Sequence, residues 1–95
     1  GKVAVLYSPG YGAGWYSWKP LESRLYNPKL VEAIENGVPK DVLLDIANKE
    51  YPDDYNGGVD GLRIAWIPLG TPFTIDEYDG SESIVYDHNV KWIVA

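Results

Sequence analysis

The hydrophobic period changes once after Asn27, and that change constrains the fold more than any other feature. Between Asn27 and Tyr51 apolar residues recur at helical spacing, and from Leu62 onward they alternate with polar ones. Helices in succession followed by a run of strands predict an α+β domain, because a parallel α/β sheet needs the two kinds of element to alternate. Asn27-Pro28 reads as an N-cap with proline at the first helical position. Leu30, Val31 and Ile34 follow, and Asn36-Gly37 closes the helix. Pro39 opens a second helix with Val42, Leu43, Ile46 and Ala47 as its stripe, and Tyr51-Pro52 ends it.

The strands are marked by their turns. Lys2–Tyr7 is a short apolar run stopped by Ser8-Pro9, the profile of a buried strand. Asp53–Gly61 is polar and turn-rich and reads as a connecting loop. In Leu62–Ile67, alternation places Leu62, Ile64 and Trp66 on one face. Phe73–Tyr78 and Glu82–Tyr86 flank Asp79-Gly80, the strongest hairpin signal present, since both positions accept positive φ. Val90–Val94 is the last strand. The expectation is one domain over residues 1–95: a small, mostly antiparallel sheet of about five strands with two short helices packed on one face.

Composition narrows the function classes. The chain is 45% hydrophobic and 14% aromatic, too apolar for a disordered segment. A core of this size is marginal, so burial in a homo-oligomer is expected. With no Cys there are no disulfides, thiolate zinc sites or thiol chemistry, which fits a reducing cytoplasm. No apolar run approaches the ~18 residues of a membrane span, so no membrane partner is expected. Acids and bases cancel over residues 1–50. The net charge of −6 therefore lies in residues 51–95, where eight acids face only Arg63 and Lys91. That balance argues against direct nucleic-acid binding. The acidic half reads either as a solvated face or as a docking surface for a protein partner.

The feature that speaks of function is the loop Ser8–Trp18. Tyr7, Tyr11, Trp15, Tyr16 and Trp18 are five of the chain's thirteen aromatics, and Gly10, Gly12 and Gly14 alternate among them. Glycines let backbone N–H groups approach a ligand, and aromatic faces can stack a flat ring. Lys19 and Arg24 follow, and no acid precedes Glu22, so an anionic guest meets little local repulsion. The candidate ligand-binding set is Tyr11, Gly12, Gly14, Trp15, Tyr16, Trp18, Lys19 and Arg24, with Arg63 and Ser81 from the second half. The alternative is an Ω-loop whose rings only cover the core. Two familiar glycine motifs are excluded. The third glycine comes one place too early for a dinucleotide fingerprint and Pro20 intervenes, while the Gly-Lys-Ser/Thr of a P-loop is missing.

Other chemistry finds little footing. His88, the only histidine, sits in the turn Asp87-His88-Asn89, and no nucleophile elbow accompanies it. One histidine without cysteine does not make a transition-metal site, and Asp53, Asp54 and Asp60 lack the ordered spacing of a calcium loop. Asp76, Glu77, Asp79 and Glu82 cluster around the hairpin tip and read as solvated charges in preference to a carboxylate pair for hydrolysis, and Trp66 and Trp92 read as core or interface. The segment Tyr78–Ser83 is a secondary contact, with hydroxyls at Ser81 and Ser83 and a tip able to fold over the first loop. No catalytic set, metal or cofactor is expected.

The stretches SPGYGAGW, EYDGSES and WIVA together resemble a family of short proteins encoded by bacteriophages and prophages. The resemblance covers most of the chain. It implies a place in the host bacterial cytoplasm and, by analogy with small phage counter-defence factors, an oligomeric sponge that sequesters a nucleotide-derived immune signal. The chain departs from that picture in having few bases. Its leading reading is a non-enzymatic ligand-binding protein. An acidic inhibitor of a host defence protein and a small nucleotide-processing enzyme are the alternatives.

Overall fold

The computed structural model describes residues 1–10, 14–17, 21–85 and the backbone of 93–94. Strand β1 (Lys2–Tyr7) leads through the glycine-aromatic loop to a short helix α1 (Ser23–Tyr26), then α2 (Pro28–Glu35) and α3 (Lys40–Glu50). A 3₁₀ turn (Gly57–Gly61) precedes β2 (Arg63–Pro68), β3 (Pro72–Tyr78), β4 (Ser81–Val85) and β5 (Ile93–Val94). The class is α+β, as expected.

The helices begin and end where the sequence marks them. The Asn27 side chain accepts hydrogen bonds from the Lys29 and Leu30 N–H groups at 3.0 and 3.2 Å, with Pro28 at the first helical position. At the other end Gly37 takes φ +69°, its N–H bonding the Ile34 carbonyl while the Val38 N–H reaches that of Ala33. This is a Schellman closure, and it turns the chain into α3. Helix α1 was not anticipated. It is a single turn, too short to carry a periodic signal, and the extended ψ of Asn27 (114°) divides it from α2.

The strands depart from the single expected sheet. β1 pairs antiparallel with β2, from Lys2 opposite Pro68 to Tyr7 opposite Arg63. Among the described residues a second sheet has the order β4-β3-β5. Its hairpin runs from Thr74 opposite Val85 to Tyr78 opposite Ser81, and Asp79 and Gly80 both adopt positive φ (52° and 83°), as Asp-Gly predicts.

Both faces of β1–β2 carry apolar residues, because consecutive side chains on a strand point opposite ways. Leu6 and Ile64 pack on the α2–α3 side with Leu30, Leu43 and Ala47. Val5, Ala65 and Ile67 face Phe73, Ile75 and Ile84 of the second sheet, with Leu25 of α1. The β1–β2 ribbon is thus a middle layer, with α2 and α3 on one side and the second sheet on the other. Trp66 shares the face of Ile64 but is 50% exposed, so of its two readings, core or interface, the core one is overturned.

Candidate functional site

The glycine-aromatic loop is held at its base by two buried charges. Glu82, second residue of β4, is 1% exposed. One carboxylate oxygen accepts the Ser8 N–H at 2.8 Å; the other accepts the Tyr16 N–H (2.7 Å), the Ser17 N–H (2.8 Å) and the Ser17 hydroxyl (2.9 Å). The Glu82 backbone N–H also donates to the Ser8 carbonyl at 2.8 Å. Both ends of the segment 8–17 therefore close on one side chain. A buried carboxylate is tolerated only when its lone pairs are filled, and four donors fill these. The expectation that Glu82 is a solvated hairpin charge is overturned.

The second charge is Arg24, also 1% exposed. Its Nε donates to the Trp15 carbonyl at 2.9 Å, and the Trp15 indole N–H donates back to the Arg24 carbonyl at 2.6 Å. Nη2 donates to Asn56 Oδ1 at 3.0 Å, and Nη1 lies 3.6 Å from an Asp54 carboxylate oxygen. The guanidinium carbon sits 3.9 Å from the Trp15 ring centre and 4.5 Å from that of Tyr51. The two rings meet edge to face at 5.9 Å. Burial lowers the Arg24 pKa, and Asp54, Tyr51 and Glu82 oppose that shift. Asn56 completes the arrangement: its side-chain NH₂ reaches the Tyr51 carbonyl and Asn48 Oδ1, both at 3.0 Å, and the Ala47 carbonyl at 3.4 Å.

This geometry sorts the predicted residues. Trp15 is fully buried with Arg24 against its ring, and Gly14 is buried beside it. In this conformation the Trp15 ring and the Arg24 charge serve the fold. The Ser8, Tyr16 and Ser17 N–H groups are likewise taken by Glu82. Tyr16 is half-buried against the Val5 cluster, and its hydroxyl pKa is raised first by burial and then by Glu22. Ser81 is brought to the loop, its hydroxyl donating to the Pro9 carbonyl at 2.6 Å, so the β3–β4 hairpin does meet the first loop.

Arg63 is exposed opposite Tyr7, the last residue of β1, and has no side-chain hydrogen bond or ion pair among the described residues. Two residues earlier, Gly61 presses on the loop: a β-carbon there would lie 3.3 Å from the Ser8 hydroxyl and 3.5 Å from the Gly10 nitrogen. Tyr11, Gly12, Trp18 and Lys19 lie outside the described residues, as do His88, Lys91 and Trp92.

Sequence reasoning missed the role of Glu82, and a signal for it existed. Ile84, two residues on, packs on the Val5 cluster, so strand alternation puts Glu82 on the same inward side. Asn56 left no comparable trace, because its partners come from α1 and the end of α3. Among the described residues no three His, Cys, Asp or Glu side chains are grouped to hold a metal, and no helix is long and apolar enough to cross a membrane. Searches against protein-family models, curated proteins and solved structures return no significant match.

Proposed function

We propose that the chain is a phage-encoded, non-enzymatic protein that sequesters a small, nucleotide-derived anion at the loop Ser8–Trp18. One observation carries this reading: the loop is closed at its base by a buried carboxylate that binds both of its ends. A recognition loop gains affinity when its ordering cost is met before the ligand arrives, and a tether at Ser8, Tyr16 and Ser17 meets that cost. The contacts assigned to the ligand are Tyr11, Gly12, Trp18 and Lys19, carried from the sequence, with the half-buried Tyr16 at the base. The exposed Arg63, unpaired among the described residues and beside the start of the loop, supplies the charge that the internally engaged Arg24 does not. Homo-oligomerisation and a role in counter-defence belong to the same proposal.

Calorimetry with ADP, ADP-ribose and a cyclic dinucleotide tests it. Saturable binding of at least one is expected, weakened by Arg63→Glu and by Tyr11→Ala, with the ligand recovered unaltered after denaturation. Absence of heat with all three sinks the proposal. A chemically altered ligand replaces it with an enzymatic reading.

A further inference from the structure

A groove lies between α2 and the β1–β2 ribbon. Its floor is Ala4 and Trp66, which are register partners and share one face. Its wall is Pro28, Val31, Glu32 and Glu35 of α2. Those four positions follow the i, i+3, i+4, i+7 pattern and so form one stripe of the helix, distinct from the buried Leu30 and Ala33. The stripe is apolar at its beginning and acidic at its end. Trp66 is 50% exposed here, and Glu32 and Glu35 are exposed, with no side-chain hydrogen bond or ion pair among the described residues. The nearest base on the helix, Lys29, is engaged by Glu50 at 3.3 Å. Lys2 points to the same ribbon face beyond Ala4 and is not part of the groove's lining.

From these residues we infer a docking site for a basic segment of another protein. An apolar side chain enters between Trp66 and Val31, and flanking Arg or Lys side chains meet Glu32 and Glu35 and the Trp66 ring. The chemistry selects this occupant. An indole face and two exposed carboxylates both attract a cation, while the apolar floor rewards an aliphatic group next to it. A second copy is the weaker fit, because a two-fold contact centred on the groove would bring two acidic stripes together. The hairpin acids Asp76, Glu77 and Asp79 are also exposed, but the Asp76 and Glu77 carboxylates already accept N–H groups of their own hairpin.

Titration of ¹⁵N-labelled protein with acetyl-Arg-Leu-Arg-amide at millimolar concentration tests this directly. Shifts are expected at the Val31, Glu32 and Glu35 amides and at the Trp66 indole. Acetyl-Glu-Leu-Glu-amide should leave all four unmoved. Glu32→Gln with Glu35→Gln should weaken the basic peptide by roughly fivefold and flatten its salt dependence. Trp66→Ala should abolish binding, with circular dichroism unchanged because the ring is half in solvent. No shift at these residues, equal binding of acetyl-Gln-Leu-Gln-amide, or unchanged binding by the double variant overturns the inference. So does a self-association, seen by analytical ultracentrifugation, that Trp66→Ala removes.

Discussion

At the scale of single residues, this fold rests on two charges placed where charges are costly. Glu82 has each oxygen engaged, but unequally: one meets a single N–H, the other two N–H groups and a hydroxyl. That asymmetry predicts an order among substitutions. Glu82→Gln can place its remaining oxygen at the three-donor side and turn its NH₂ toward Ser8, losing one bond at a cost of about 1–3 kcal/mol. Glu82→Ala strands all four donors and should cost about 3–5 kcal/mol, the range for breaking a buried charged contact. Urea denaturation measures both. Added acetate should raise the melting temperature of Glu82→Ala more than that of the wild type, since a small carboxylate fits the vacated donors. Equal destabilisation by Gln and Ala would show that the charge, and not the count of acceptors, sets the energy. Arg24 is the complementary case. Its guanidinium offers a planar face to Trp15 and donors in the plane to Trp15 and Asn56 at once, a combination lysine cannot supply.

At the scale of elements, legibility followed the range of the interactions. The boundaries of α2 were visible because a cap and a Schellman turn are made by neighbours in sequence. The β3–β4 hairpin was visible because Asp79-Gly80 states its turn locally. Gly80 at φ 83° predicts that Gly80→Val destabilises by about 1–2 kcal/mol while leaving helix signals intact, as checked by thermal denaturation. The joint between α2 and α3 was not visible. Glu50, the last residue of α3, accepts the Asn27 side-chain N–H at 2.9 Å and pairs with Lys29 at 3.3 Å. The Asn27 hydrogen bond first, and then Lys29, hold the Glu50 carboxyl below its ordinary pKa. A depressed folded-state pKa gives stability that is present above the unfolded value, about 4.3, and is lost as pH falls through the folded value. Glu50→Gln should therefore lower the denaturation midpoint at neutral pH and change it little in strong acid. A pH-independent difference between the two proteins would remove this assignment.

At the scale of the whole molecule, the sequence supported the class and hid the layering. Alternation says that a strand has two faces, but not what covers each. Val5 and Leu6 are adjacent, and both are fully buried, because β1–β2 lies between the helices and the second sheet. Trp66 shows the converse: its apolar position reads as core or interface, and α2 leaves half of it exposed. The loop was hidden in the same way, since Trp15 and Arg24 read as ligand contacts until Tyr51, Asp54 and Asn56 came into view as their partners.

The middle position of β1–β2 has a thermodynamic consequence. Two apolar clusters that share the same pair of strands cannot separate without breaking those strands, so both should melt in one transition. Leu30→Ala acts on the helix side and should cost about 2–5 kcal/mol; Phe73→Ala acts on the sheet side and should cost about 3–5 kcal/mol. Each variant should shift the far-ultraviolet helix signal and the tryptophan fluorescence by the same amount in urea, although each touches only one cluster. If Phe73→Ala moves the fluorescence midpoint and leaves the helix midpoint in place, the second sheet is a separate unit that opens on its own. The ends of the loop would open with it, because Glu82 belongs to that sheet.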